Sequence, residues 1–200
     1  MEGFAEAGAQ VSLRPIWLCA DDYGISPSVS KAIRDLIMME RLNATSVMVL
    51  APSFNRSEAA SLNVIAAARR AAIGLHLTLT GKFKPLSAGF APLDAGTFLS
   101  MDEMLKRCLL RRLDRKALRR EINAQIEAFI AAFGHPPDYI DGHQHVHLFP
   151  QVRDELLAAM KQLAPDAWVR QCGRTIPLSQ RFSDPKGLVL DLLSGTFRRK

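Results

Sequence analysis

Residues 16–37, I-W-L-C-A-D-D-Y-G-I-S-P-S-V-S-K-A-I-R-D-L-I, hold the reading on which the fold turns. Ile16-Trp17-Leu18-Cys19-Ala20 is a short apolar run after Pro15, as expected of a buried parallel strand. Asp21 and Asp22 stand at its carboxyl end. Ser26 followed by Pro27 predicts an N-cap with proline at the first helical position, and Val29, Ala32, Ile33, Leu36 and Ile37 then recur as one apolar helix face. The stretch is therefore a strand, a polar loop and a helix.

The same unit repeats downstream. Thr45–Leu50 predicts a second strand, and the alanine-rich stretch from Ser57 to Arg70 a helix capped by Ser57. Ile73–Thr80 predicts a third strand. Residues 81–100, rich in Gly, Pro and Ser, form a loop of a length that carries function or mobility. Helical pattern resumes from Met101 through Phe133 and stops at Gly134 and the following His135-Pro136-Pro137. Tyr139–Val146 predicts a fourth strand, Val152–Leu163 a helix, and Trp168–Cys172 a fifth strand. Leu188–Arg199 has apolar residues able to pack as a helix. Strands alternating with helices imply an α/β fold with a parallel sheet, open or curled into a barrel, and ligands gather at the carboxyl ends of such strands.

Composition narrows the classes of function. The 200 residues are 48% hydrophobic and 23% charged, enough for one domain with a large core, and no linker divides them. A single domain over 1–200 is expected, with residues 1–12 disordered. Mean hydropathy is +0.02 and no apolar run approaches a membrane span, so no membrane partner is expected. The amino end has no positive n-region, which predicts a cytoplasmic location. Cys19, Cys108 and Cys172 are too widely spaced for a zinc knuckle or a redox pair. The net charge of +6 invites a nucleic-acid reading, but residues 106–120 alone hold eight bases and one acid, and Arg198-Arg199-Lys200 add three more. Leu109, Leu110, Leu113 and Leu118 recur among those bases at near-helical spacing. The block therefore reads as the solvated face of an amphipathic helix, and no nucleic-acid partner is expected.

The histidines carry the chemistry. On a fully extended segment, Asp141, His143, His145 and His147 of D-G-H-Q-H-V-H share parity and would point to one face. Three imidazoles and a carboxylate on a buried strand are costly unless something binds them, and a divalent ion such as zinc is the economical answer. His76 shares its face with Thr78 and Thr80, opposite Leu75, Leu77 and Leu79. Adjacent aspartates are often only a solvated turn. Asp21 and Asp22, however, follow a hydrophobic strand and precede Gly24. Asp22, His76 and His143 can then form an Asp-His-His set with open positions, leaving Asp21 as a general base.

Three separated stretches, A-D-D-Y-G-I-S, G-L-H-L-T-L-T-G-K and Y-I-D-G-H-Q-H-V-H-L-F-P, resemble the YdjC-like carbohydrate deacetylases, relatives of chitooligosaccharide deacetylase, in the right order from about Leu18 to Pro150. The resemblance implies a (β/α) barrel of the deacetylase type, one divalent ion (magnesium or zinc) held by Asp22, His76 and His143, Asp21 as catalytic base, and an N-acetylated sugar or short oligosaccharide as substrate. Expelling the amine also requires a general acid. His145 is the candidate, with His147 behind it, although either can instead orient a ligand. Asp141, His147, Arg170 and Thr78 complete the set as residues that support ligands or touch substrate.

The chain departs from the family pattern in one respect. Family members carry a late histidine in a His-Pro-Gly-like segment, and no histidine follows His147. Only five strands are found, so an incomplete barrel in a shortened chain is expected, and an exposed apolar flank would favour a homodimer. The alternatives are a non-catalytic carbohydrate- or metal-binding remnant and a metal-dependent phosphoesterase, the latter lacking a glycine-rich phosphate cradle.

Overall fold

The computed structural model describes residues 16–174 and 184–198. The expectation of disorder over residues 1–12 lies outside them. The element order is β1 (Cys19–Tyr23), α1 (Pro27–Met38), β2 (Ala44–Val47), α2 (Arg56–Arg69), β3 (Ala72–Leu77), α3 (Met101–Leu109), α4 (Arg115–Phe133), β4 (Tyr139–Gly142), a 3₁₀ segment (His143–Leu148), α5 (Pro150–Leu163), β5 (Trp168–Val169) and α6 (Pro185–Phe197). Among the described residues no helix is long and apolar enough to cross a membrane.

All five strands are parallel and lie in sequence order, β1-β2-β3-β4-β5. Crossovers of one hand that always step to the next strand keep the helices on one side of the sheet, which is the winding of a barrel rather than of a doubly wound sheet. Side-chain contacts show the curl. In a flat sheet β1 and β5 would lie about 19 Å apart, four strand spacings. Yet Arg170, just past β5, reaches Asp21 of β1 at 2.5 Å, and the Tyr139 hydroxyl of β4 lies 2.8 Å from Cys19 Sγ of β1. The sheet is the arc of a (β/α) barrel.

The two faces of the arc differ. Val47, Ile73, Leu75, Leu77 and Ile140 point outward into the main core shared with the helices. The inner face has two tiers. Cys19, Ala44, Ala72 and Tyr139 form a small apolar floor, and Tyr139 stacks on Trp168 at 4.5 Å. Gly74 belongs to this floor because a Cβ there would lie 2.5 Å from the Tyr139 ring. Above it, toward the strand ends, the inner positions turn polar: Asp21, Ser46, His76, Asp141 and Arg170.

Helix starts follow the capping chemistry. Ser26 accepts from Val29 N–H with Pro27 next, as its sequence predicts. The cap of α2 is Asn55 rather than Ser57, because the Asn55 side chain accepts from both Ser57 and Glu58 N–H. The single helix expected over 101–133 is two, since Asp114 caps a second one through Lys116 and Ala117 N–H. This break splits the basic block: Leu113 and Leu118 are buried, but Leu109 and Leu110 are exposed at 59% and 52% and take no part in a common apolar face.

Candidate functional site

At the end of β1 the chain advances one residue more than β2 does between the Ala20–Thr45 and Tyr23–Val47 pairs, and Asp22 has φ 62°. This bulge breaks the strand's alternation and lets two consecutive carboxylates serve the same rim. Asp21 takes Arg170. Asp22 turns to the imidazoles, its Oδ1 lying 3.1 Å from both His76 Nε2 and His143 Nδ1.

His76 and Asp141 are register partners on β3 and β4. His76 Nδ1 lies 2.7 Å from Asp141 Oδ1, and the Ser46 hydroxyl donates to Asp141 Oδ2 at 3.1 Å. A carboxylate behind the imidazole fixes its orientation and leaves Nε2 facing Asp22. His143 packs edge-on against His76 and Phe83, with ring centroids 5.6 and 5.8 Å away.

The strand expected over Tyr139–Val146 ends at Gly142, so Asp141, His143, His145 and His147 do not share one strand face. Gln144 and His145 are left-handed, with φ 52° and 59°, and the chain coils so that His147 packs beneath Gly142, where a Cβ would lie 2.9 Å from His147 N. The four residues consequently separate. Asp141 is buried behind His76, and His143 faces Asp22. His145 has no hydrogen-bond partner among the described residues and lines a neighbouring groove. His147 is fully buried, its Nε2 donating to the Arg170 carbonyl at 3.2 Å and its Nδ1 unpaired.

Arg170 bridges Asp21 (2.5 Å) and Asp141 (3.0 Å) and so ties the two carboxylates together rather than forming a surface pair. Thr78 is fully buried, and its hydroxyl donates to the His76 carbonyl. It can brace His76 but has no exposed surface for substrate.

The electrostatics follow from these contacts. Hydrogen bonds from His143 and His76 hold Asp22 well below the usual carboxylate range against the opposing effect of burial. Burial pulls His76 down, but Asp141 and Asp22 outweigh it and push the imidazole up to about 9. Burial resists ionisation of Asp141, yet His76 and Arg170 keep it below its ordinary value. Burial lowers His145, helped by Arg170, and lowers His147 to about 4, so His147 is neutral at pH 7.

One donor atom each of Asp22, His76 and His143 lies within 4.8 Å of the others. An ion with bonds of about 2.1 Å needs donors separated by about 3.0 to 3.4 Å. The 3.1 Å contacts of Asp22 with both imidazoles meet that requirement, and the nitrogen and oxygen donors suit a divalent first-row ion. Cys19, Asp21 and Asp141 form a second convergent group. There Arg170 already occupies the space between the carboxylates, and burial pushes the Cys19 thiol up to about 12, so that group holds a guanidinium.

Several supporting residues escape a reading of the sequence. Glu121 and Gln125 look like one polar stripe of α4, yet both are fully buried. Glu121 accepts from the Leu86 and Ser87 backbone N–H groups and the Ser87 hydroxyl, while Gln125 bonds both N–H and C=O of Thr78. The loop over 81–100 is thereby pinned beside the site. Ser46 shares strand parity with Ala44 on the inner face, a position its sequence spacing makes legible.

A parallel sheet wound in strand order, with carboxylates and imidazoles gathered where its strands end, defines an α/β barrel-type protein with its chemistry at the carboxyl mouth. Within that class the chain belongs to the YdjC-like protein family, whose model matches residues 15–196. It is 31% identical over 133 residues to chitooligosaccharide deacetylases of Yersinia pestis (strain Pestoides F) and Yersinia pseudotuberculosis serotype O:1b (strain IP 31758), covering 66% of this chain and 50% of each relative. The chain thus spans about half the length of the curated relatives it matches. A crystal structure from Enterococcus faecalis V583, of a protein named for cellobiose-phosphate cleavage, superposes with a TM-score of 0.65 at 25% identity, over 88% of this chain and 63% of that one.

Proposed function

We propose that this chain carries the site of a metal-dependent carbohydrate deacetylase, removing the acetyl group from an N-acetylated sugar or short oligosaccharide. The observation that carries the reading is the convergence of Asp22, His76 and His143 beside Asp21, with Asp141 behind His76. The relatives named as chitooligosaccharide deacetylases support the substrate class.

Asp22, His76 and His143 would hold the ion. When bound, a divalent ion supplies Lewis acidity that acidifies water and polarises the amide carbonyl. The protein's own groups do the rest. Asp141 keeps His76 oriented through Nδ1. Arg170 holds Asp21 by Oδ1, leaving Oδ2 to take the proton from the attacking water. Attack on the acetyl carbonyl forms a C–O bond, and collapse breaks the C–N bond, releasing acetate once the sugar nitrogen is protonated. His145 lines the neighbouring groove, so that proton falls to Asp21 to return.

The test is acetate release from chitobiose by the chain loaded with zinc, magnesium or cobalt, compared with His143→Ala and Asp21→Asn. Both variants are expected to lose at least 100-fold. Variants as active as the parent would refute the assignment.

A further inference from the structure

We infer that the substrate is amphiphilic: an acylated amino sugar bearing a hydrocarbon chain, with that chain lying in an apolar groove along α3. The sugar end of this inference rests on the deacetylase reading. Three adjoining cavities carry it. A groove of about 500 Å³ is walled by Met101 and Leu105 of α3, Phe149, and Val189, Leu190 and Leu193 of α6, with Gln144 and His145 at one end. Gln144 and His145 directly follow His143, so this end lies beside the candidate site. A second cavity of about 650 Å³ shares Met101 and Gln144 with the groove and adds polar groups to a partly apolar lining, presenting Lys82, Asp94, Thr97 and Ser100. A third, of about 380 Å³, shares Asp102 and Leu105 with the groove and continues to Lys106, Leu109 and Leu110.

The order is what matters. Hydroxyl-matching groups lie at one end, apolar side chains in the middle, and two exposed leucines edged by a lysine at the other. Sugar hydroxyls need donors and acceptors, whereas a hydrocarbon gains only from shedding water. An acetyl methyl fills a small fraction of this groove. A short soluble oligosaccharide would leave its apolar walls wet, while a chain attached to the sugar would cover them.

The chain's point of attachment, at the anomeric oxygen or on the amide, is what two ligand series distinguish. The zinc-loaded full chain is titrated calorimetrically, below micelle-forming concentrations, with methyl, butyl and octyl glycosides of N-acetylglucosamine. The second series is N-acetyl-, N-butanoyl- and N-octanoylglucosamine. Affinity should rise with chain length in one series, by up to about fourfold per buried methylene, with an increasingly negative heat-capacity change. Leu105→Gln or Leu193→Gln should flatten that slope, and the wild-type series decides alone if a variant does not fold. Affinity independent of length in both series overturns the inference. Acetate is assayed in parallel: a slope without acetate release keeps the groove and removes deacetylation, and acetate release without a slope does the reverse.

Discussion

Zinc uptake at Asp22, His76 and His143 is expected to release protons, because the metal-free His76 is held up at about 9 by Asp141 and Asp22. A ligand imidazole must be neutral at the coordinating nitrogen. At pH 7 about one His76 in a hundred is neutral, so apparent zinc affinity should lie about 100-fold below its value above pH 9, a difference of about 2.7 kcal/mol. Between pH 6.5 and 8.5 the affinity should climb about tenfold per pH unit. Competition with a fluorescent chelator measures the slope, and calorimetry in two buffers of different ionisation heat should count about one proton released at pH 7. Asp141→Asn removes the stronger of the groups that raise His76. It should shift the steep region to lower pH and weaken zinc binding about 10- to 100-fold by freeing the ring to rotate. Affinity flat from pH 6.5 to 8.5 with no proton released would refute both the ligand assignment and the charge argument behind it.

Stability of the metal-free chain should peak near pH 6.5. His147, lowered to about 4 by burial, makes the unfolded chain the better proton binder, so stability is full above about 6.5 and falls by about 3 kcal/mol as pH drops toward 4. His76, raised to about 9, stabilises fully below about 6.5, and that contribution is lost as pH rises toward 9. Urea midpoints across pH 4 to 9 that change in one direction only would contradict this pairing. Gly74→Ala drives a methyl into the Tyr139 ring and should cost about 1–3 kcal/mol in urea unfolding; no loss would mean the ring is not seated there. Glu121→Ala strips Leu86 and Ser87 of their acceptor and should sharply increase proteolytic cleavage within 81–100; an unchanged cleavage rate would mean the loop is held by other contacts.

The parts of this fold legible in the sequence are those set by short-range chemistry. The Ser26-Pro27 start of α1 and the Gly134 end of α4 stand where their caps place them. His76 was readable because I-G-L-H-L alternates across β3, and the grouping of Asp22 with His76 and His143 was readable because all three fall at strand ends. What stayed hidden depends on partners distant in the chain. The bulge at Asp22 exists only against β2, and the coil after Gly142 only because His147 packs beneath that glycine. Glu121 looks solvated until a loop some 35 residues away is seen to end on it.

Tyr139 gives the candidate site a direction. Its ring spans the barrel interior between Gly74 and Trp168, and its hydroxyl ends at Cys19, so the polar tier above is closed from below. On the deacetylase proposal, substrate would then reach the polar tier from the side opposite that floor. A hole opened at Tyr139 would remove that floor and open the polar tier from below, beginning on the Cys19 side.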